Sequence, residues 1–351
     1  MNRRQLTHAS LLQAARGETP DHTPVWFMRQ AGRSLPEYRK IRANVGMLES
    51  CFDPELLAEI TLQPVRRHGV DGAILFSDIV VPLKAAGVNL DIVPGRGPVL
   101  DHPLRTREDV EALPILEHEV TEVAQGIEII LDELTDQQAL IGFVGAPFTL
   151  ASYLVEGGPS KNHIHTKALM HNDPDTWALL MEKITATVTT FLHTQMHAGI
   201  DAMQLFDSWA GFLSEHDYRT YVQPYSARIL QVAENIPSIH FGVGTGELLP
   251  DLATAGADVV GVDWRVPLDR AAERIHRVSG RATGLQGNLD PAMLFTSHDA
   301  IATEVTRIKD EAAFAIAAGD ATGHIFNLGH GVLPDTDPDV ITETVKFIQE
   351  S

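Results

Sequence analysis

Short apolar runs rich in β-branched residues alternate along the chain with longer stretches of helical spacing. The runs show little alternation of polar and apolar residues, which is typical of strands buried on both faces. The stretches between them are long enough for crossover helices. The pattern predicts eight strands, at residues 25–28, 72–76, 140–144, 202–206, 238–242, 258–262, 283–286 and 324–328.

Eight such β/α units predict a single-domain (β/α)8 barrel of the TIM type over residues 1–351, with its active site at the C-terminal strand ends. A doubly wound open sheet has the same local pattern, and periodicity does not separate the two. Length alone would also allow two domains, but no low-complexity segment, long charge run or flexible linker divides the chain. A chain of this length buries about 75% of its extended surface on folding, so it can form a large core.

One stretch departs from the regular alternation. Residues 82–103 lie between the second and third predicted strands and contain the sequence Pro-Gly-Arg-Gly-Pro at 94–98. Such a stretch indicates an excursion with extra short strands, or a lid over the mouth of the barrel. A lid and a plain surface loop are both open at this point.

The formal net charge is −20, and Cys51 is the single cysteine. One cysteine excludes an internal disulfide and a Cys-based zinc knuckle, and it suits a reducing compartment, so we expect a cytoplasmic protein. No apolar run approaches the roughly 20 residues of a membrane span, and the N-terminus leads into no signal-peptide core. The acidity argues against a nucleic-acid partner.

Against this acidity, residues 24–42 hold four arginines and a lysine. A basic cluster beside apolar residues indicates a local anion site. Arg29 and Arg33 lie at a predicted strand end beside Gly32, where a ligand can approach closely, and guanidinium grips carboxylates with paired hydrogen bonds. Lys40 and Arg42 are better explained as charges on a helix surface.

Other polar residues also follow the predicted strands where those strands end. Because parallel strands share one C-terminal edge, we expect these residues to converge on one pocket. They are Arg29 and Arg33 after the first strand, Asp78 after the second, Tyr153 beyond the third, Asp207 and Ser208 after the fourth and His330 after the eighth.

Several of these residues have ordinary structural explanations as well. Asp78 could cap the following helix, and Ser208 could be an N-cap. Tyr153 could be a packing aromatic whose hydroxyl reaches water. His330 is one of sixteen histidines, but its flanking glycines leave the ring accessible.

Two long blocks carry a resemblance to a known family. Residues 24–33 (PVWFMRQAGR) and 142–158 (GFVGAPFTLASYLVEGG) resemble the diagnostic stretches of the uroporphyrinogen decarboxylase family. Shorter matches at 76–79, 204–208 and 327–331 extend the resemblance over nearly the whole chain. The resemblance favours the barrel over the open sheet.

The resemblance implies a homodimer that removes the four acetate carboxyls of uroporphyrinogen III, giving coproporphyrinogen III in heme synthesis, with no cofactor and no metal. It makes Asp78 the aspartate that binds pyrrole N–H groups and stabilises a protonated ring. Asp78, Arg29 and Arg33 are the expected catalytic residues. The expected substrate-binding residues are Arg29, Gln30, Arg33, Asp78, Tyr153, Phe206, Ser208 and His330.

The sequence favours this function over several others. Corrinoid-linked methyltransferases of similar fold use zinc held by His and Cys, which one cysteine makes implausible. A tetrapyrrole carrier needs the same pocket and stays open. The glycines of 242–246 lack nucleotide-loop spacing, and the pairs His163/His165 and His193/His197 are weak metal candidates. Residues 88–93 and Trp209 depart from the family pattern, and the proton donor stays open.

Overall fold

A computed structural model describes residue 4 and residues 6–351. Seven of its strands form one parallel sheet, in which each strand lies beside the next strand of that sheet along the chain. The remaining two, β2 and β3, pair as an antiparallel hairpin. The strands are β1 (Gly72–Ile74), β2 (Leu90–Val93), β3 (Gly97–Leu100), β4 (Ala139–Gly145), β5 (Ala202–Asp207), β6 (Ser238–Gly242), β7 (Val259–Gly261), β8 (Thr283–Leu289) and β9 (Ala321–Leu328).

Helices follow most of the strands and pack against the sheet. They are α1 (Ser10–Ala15), α2 (Pro36–Arg42), α3 (Met47–Cys51), α4 (Pro54–His68), α5 (Val81–Ala85), α6 (Arg107–Ala112), α7 (Thr121–Glu133), α8 (Pro147–Glu156), α9 (Ile164–Asn172), α10 (Pro174–Ala198), α11 (Glu215–Tyr221), α12 (Gln223–Val232), α13 (Leu249–Thr254), α14 (Leu268–Ser279), α15 (His298–Ala318) and α16 (Pro338–Glu350). Short 3-10 helices span Ala210–Phe212 and Pro291–Phe295. None of the described helices has the length and apolarity that a membrane span requires.

Local sequence signals explain where the helices begin and end. The α4 helix begins at Pro54, and the preceding Asp53 accepts hydrogen bonds from the N–H groups of Glu55 and Leu56. It ends before Gly69, whose φ of 66° is a left-handed conformation that glycine adopts without a Cβ clash. The same device ends α8 at Gly157 and α15 at Gly319.

The prediction of strands is confirmed for seven of the eight runs. The strand order rises along the chain without reversal, β1-β4-β5-β6-β7-β8-β9, whereas a doubly wound sheet reverses its order at a switch point. The sheet is curled, because the segment 25–28 contacts its first and last strands together. The Asp71 N–H, next to β1, donates to the Val25 carbonyl at 2.9 Å, and the Phe326 N–H of β9 donates to Pro24 at 2.8 Å.

The predicted strand at 25–28 is wrong as a regular strand, because only one isolated bridge, Val25 to Phe326, forms there. Most backbone N–H groups of this segment donate to side-chain oxygens, so they are not available for hydrogen bonds to a neighbouring strand. The N–H of Val25 donates to Asp71 Oδ2 at 2.8 Å, and that of Met28 donates to Asn327 Oδ1 at 3.1 Å. The segment therefore lies between β9 and β1 without regular strand pairing.

The excursion at 82–103 contains extra short strands, as one of the two sequence interpretations predicted. The β2–β3 hairpin is tied to the end of α8, since the Leu100 N–H donates to the Gly157 carbonyl at 3.1 Å. Lys84 of α5 also donates to the Leu90 carbonyl at 3.0 Å, so the hairpin contacts the helix that follows Asp78.

A chain of buried side-chain hydrogen bonds crosses the inside of the curled sheet. Trp26 Nε1 donates to Gln286 Oε1 at 3.0 Å, and Gln286 Nε2 donates to Gln204 Oε1 at 2.9 Å. Gln204 Nε2 in turn lies 3.7 Å from Met28 Sδ. These residues come from the 25–28 segment, β8 and β5, which are not neighbours in the sheet, so the network spans the interior.

We predict that Gln286→Met lowers the free energy of unfolding by about 2–5 kcal/mol, because the Trp26 N–H and the Gln204 carbonyl both lose a buried partner. Urea unfolding followed by circular dichroism measures this. Gln137→Met, at an exposed position, is the matched control and is expected to change stability by less than ~0.5 kcal/mol. Equal stability of the two variants would contradict the role of the network.

Stability should also fall with acid through a buried histidine. His324 of β9 donates from Nε2 to the Gly287 carbonyl at 2.8 Å, and burial lowers its pKa to about 4. The unfolded chain takes up this proton near pH 6.5 and the folded chain only near pH 4. The folded state therefore loses up to about 1.4 kcal/mol per pH unit from His324 as pH falls between these values.

Thermal unfolding at pH 7 and pH 4.5 tests this expectation. His324→Gln should lose less stability than the unmodified chain over this pH interval, whatever its stability at pH 7. His118→Gln, at an exposed position, should follow the unmodified chain. A His324→Gln variant with the unchanged pH dependence would disprove the linkage.

Candidate active site

Six of the predicted site residues lie at the C-terminal edge of the sheet. Asp78 follows β1, Tyr153 lies on α8 after β4, and His330 follows β9. Phe206 and Ser208 stand at the end of β5. Arg29 ends the 25–28 segment between β9 and β1, so the chain brings these groups to one mouth.

Arg29 holds the central position in this group. Its φ of 62° is left-handed, which is uncommon for a residue with a side chain. Its side chain packs across Gly331, where an added Cβ would lie 2.5 Å from Arg29 Cδ. The residue is exposed, and within the described residues no carboxylate forms an ion pair with it. The guanidinium is thus available to an anionic ligand.

Asp78 is a half-buried carboxylate near this guanidinium. Burial raises its pKa, and a hydrogen bond from the Val80 N–H and the charge of Arg29 act in the opposite direction. The bond from Val80 is 3.1 Å long and lies directly before α5, a helix that begins without a capping side chain. Asp78 therefore does not cap α5, and its role in binding stays a prediction.

Tyr153 faces Asp78 from α8. Burial first, and then the charge of Asp78, raise the pKa of its hydroxyl to about 12, while a hydrogen bond with the Trp209 side chain opposes the shift. The Tyr153 and Trp209 rings are 6.0 Å apart. Since an indole N–H only donates, the Tyr153 oxygen accepts this bond and keeps its own proton for another acceptor.

His330 is half-buried beside Arg29. Its Nδ1 accepts a hydrogen bond from the Gly331 N–H at 2.6 Å, which assigns the proton of the neutral ring to Nε2. Burial, followed by the charge of Arg29, lowers the pKa of the ring. His330 is therefore a neutral donor at pH 7.

Electrostatic interactions connect these four groups, because the charge of Arg29 acts on Asp78, Tyr153 and His330. The remaining predicted residues are placed differently. The Gln30 side chain is buried, accepting from the Phe27 N–H at 2.8 Å and donating to the Gly72 carbonyl at 2.9 Å. Arg33 is exposed nearby in sequence. Their roles in binding stay predictions.

The end of β5 divides its side chains between two faces. Phe206 contacts Phe143 and Phe241 edge to face, at 5.3 and 6.1 Å. Ser208 is half-exposed, and the 3-10 helix beyond it begins without a capping side chain, so Ser208 is not an N-cap.

Asp207 does not join the other predicted residues at the mouth. It is fully buried, where it accepts a hydrogen bond from Thr149 Oγ1 at 2.9 Å and lies 3.8 Å from His240 Nε2. Neighbouring residues of a strand point to opposite faces, which explains why Asp207 turns away from Phe206.

Sequence reasoning missed the residues after β7. Asp263, Trp264 and Arg265 lie beside His330, with the Trp264 and His330 rings 6.5 Å apart. A sequence signal existed, because an Asp-Trp-Arg run directly after an apolar strand has the same position as Asp78 after its own strand.

One other region does not fit a polycarboxylate ligand. A groove of about 770 Å³ beside α3, α4 and α7 is rich in acidic residues, which would repel an anion; they are Glu49, Asp53, Glu55, Glu128 and Asp132. In the described part of the chain, no three His, Cys, Asp or Glu side chains are grouped closely enough to hold a metal ion.

Comparison with known proteins places the chain in a family. The family model described as uroporphyrinogen decarboxylase (URO-D) matches residues 6–351. The chain belongs to the uroporphyrinogen decarboxylase family. The uroporphyrinogen decarboxylase of Corynebacterium efficiens is 69% identical over 351 residues, which cover 99% of this chain and 98% of that protein. That of Rhodococcus jostii is 62% identical, covering 99% and 97%.

Solved structures of more distant proteins share the fold. A methyltransferase from Methanosarcina mazei superposes with a TM-score of 0.79 at 19% identity, covering 97% of each chain. A B12-independent methionine synthase from Shewanella gives a TM-score of 0.56 at 11% identity, covering 84% of this chain and 86% of that one. These likenesses concern the fold of the uroporphyrinogen decarboxylase family and carry no information on activity.

We predict that Gly331→Ala lowers decarboxylase kcat/KM by roughly 10- to 100-fold, because the new Cβ displaces the Arg29 side chain and small misplacements are costly in active sites. The thermal midpoint should change little by comparison. Gly46→Ala is the matched control, since its Cβ would have only ordinary contacts, the nearest at 3.6 Å. A folded Gly331→Ala variant with full activity would show that the placement of Arg29 is not required.

Proposed function

We propose that this chain removes the four acetate carboxyls of uroporphyrinogen III to give coproporphyrinogen III in heme synthesis, as a carboxy-lyase without a cofactor. Membership of the family supports the reaction. One observation carries the proposal: the same mouth contains the Arg29 guanidinium, which forms no ion pair within the described residues, and the half-buried Asp78 carboxylate. A ligand with acidic edges and N–H groups at its centre needs both signs of charge.

The chemistry explains why a carboxylate belongs in a site for a polyanion. A proton added to a pyrrole carbon makes that ring cationic, and the electrons of the breaking bond between the methylene and carboxyl carbons then flow into the ring. Carbon dioxide leaves, the methylene carbon takes up a proton to become a methyl group, and the ring carbon loses its added proton, which restores the pyrrole. A fixed carboxylate beside the ring stabilises the cation in the transition state.

The other side chains bind and orient. Arg29 and Arg33 grip substrate carboxylates with paired hydrogen bonds, each worth about 1.5–3 kcal/mol to a charged group. His330 donates from Nε2 to a further carboxylate, and Tyr153 donates its hydroxyl proton to a carboxylate or to Asp78. Phe206 and Ser208 line the wall at β5, and Gln30 supports the turn that presents Arg29.

In this proposal the 25–28 segment occupies the position of the eighth strand and closes the curled sheet into a (β/α)8 barrel. Its hydrogen bonds to both β9 and the residue before β1 support closure. The undivided domain, the homodimer, the absence of a nucleic-acid partner and the cytoplasmic location stay predictions.

The proposal is tested by anaerobic incubation with uroporphyrinogen III, followed by separation of the oxidised porphyrins by carboxyl number. The expected products carry progressively fewer carboxyl groups. Unchanged substrate would favour a carrier that binds the tetrapyrrole without reaction. Loss of activity on chelation would point to a metal and contradict the cofactor-free reaction.

We predict that Asp78→Asn nearly abolishes turnover, with a fall in kcat of at least ~100-fold, while the protein stays folded. The amide keeps the shape and removes the charge that stabilises the cationic ring. Asp91→Asn, an exposed position on the β2–β3 hairpin, serves as the control and should keep full activity. Near-normal turnover of folded Asp78→Asn would remove Asp78 from the mechanism.

A further inference from the structure

The residues after β7 hold a guanidinium in a fixed orientation. Arg265 Nη1 lies 2.6 Å from Asp263 Oδ2, and the Arg265 N–H donates to Asp263 Oδ1 at 2.9 Å. The guanidinium carbon lies 4.0 Å from the centre of the Trp264 ring, which is a cation–π contact. The carboxylate is held in turn by the Gly244 N–H at 2.5 Å.

This arrangement lies against the proposed pocket. The backbones at Trp264 and Gly329 are so close that a Cβ on Gly329 would lie 2.3 Å from the Trp264 nitrogen. The next residue is His330, whose ring is 6.5 Å from that of Trp264. The charge of Arg265 acts on His330 and helps to lower its pKa. Arg265 is therefore a neighbour of His330 on the β7 side of the mouth.

We propose that Arg265 is a further substrate-binding residue, which grips a carboxylate that stays on the tetrapyrrole throughout the reaction. This inference rests on the proposed function, since it names the partner of one more group in the same site. Arg265 is assigned by neither the sequence motifs nor the family resemblance described above.

The environment of Arg265 suits this role. Asp263 is 3% exposed, whereas the Arg265 side chain is 51% exposed, so the anchor is buried and the guanidinium faces outward. One Nη is engaged by Asp263, which leaves the other N–H groups of the planar fork for a carboxylate. Stacking on Trp264 fixes the plane of the fork, and this reduces the entropy lost when a ligand binds.

The position also indicates which carboxylate it binds. Asp78 follows β1, whereas Arg265 follows β7, which β4, β5 and β6 separate from β1 in the sheet. A carboxylate at Arg265 is thus away from the ring that Asp78 stabilises, as expected for a propionate arm. Such a contact is made equally in the ground state and the transition state, so it lowers KM without raising kcat.

The test compares Arg265→Gln, Arg265→Lys and the control Arg270→Gln in steady-state assays with uroporphyrinogen. Arg270 is 67% exposed and pairs with Glu273 on the same helix. Arg265→Gln should raise KM about tenfold with kcat within about twofold, because only uniform binding is lost. Arg265→Lys should recover part of the loss, since it restores the charge but not the fork. Arg270→Gln should behave as the unmodified chain.

Two results would overturn the inference. One is an unchanged KM in Arg265→Gln; the other is a large loss of kcat at unchanged KM, which would place Arg265 in the chemistry. Equilibrium binding of oxidised uroporphyrin, followed by fluorescence, separates this inference from the proposed function. If the unmodified chain leaves uroporphyrinogen III unchanged but binds oxidised uroporphyrin, and Arg265→Gln weakens that binding, the decarboxylase proposal fails while the carboxylate site stands. Thermal midpoints confirm that each variant is folded.

Discussion

The capture of backbone N–H groups by side chains in the 25–28 segment is the constraint on which the site depends. Asp71 and Asn327 reach this segment from opposite sides, one beside β1 and one on β9. Gln30 takes a third N–H group, that of Phe27. With its donors used in this way, the segment joins the two ends of the curled sheet and turns sharply at Arg29. The segment that joins the two ends of the sheet therefore also positions the Arg29 guanidinium at the mouth.

Electrostatics at the mouth are local. The chain carries a formal charge of −20, yet at physiological salt the Debye length is only about 8 Å, so distant carboxylates affect the site weakly. In the proposed function, Arg29, Arg265 and the neutral His330 bind the edge of the ligand, while Asp78 is the nearby carboxylate whose charge also acts on Tyr153. A site for an acidic ligand can thus exist on an acidic protein without a broad basic surface.

Sequence patterns predicted most of the fold, because apolar runs report burial directly. Seven runs are strands, but the run at 25–28 is not a regular one. Its partners Asp71 and Asn327 are 46 and 299 residues from the N–H groups they bind. No local pattern encodes such distant contacts.

The candidate site was predictable to a similar degree. Strand ends predicted that Arg29, Asp78 and His330 lie at one edge, and the structure places them there. Asp207 turns away from the mouth because side chains alternate along β5, a two-residue period that is present in the sequence. The side-chain amide of Gln30 forms hydrogen bonds with backbone groups, and its position in the sequence does not reveal these contacts. The Asp-Trp-Arg run at 263–265 is a signal in the sequence, but the orientation of Arg265 depends on its contacts with Asp263 and Trp264, which only coordinates show.

Cys51 is a buried cysteine in contact with Asp78. Its thiol is fully buried and forms a hydrogen bond with the Asp78 backbone; burial, and then the charge of Asp78, raise its pKa. Since thiolate is the form that reacts with alkylating reagents, the native chain has no readily labelled thiol at neutral pH. A cysteine introduced on the β2–β3 hairpin would take up a spectroscopic probe selectively, and the distance from that probe to a bound porphyrin would report directly whether the hairpin moves over the mouth.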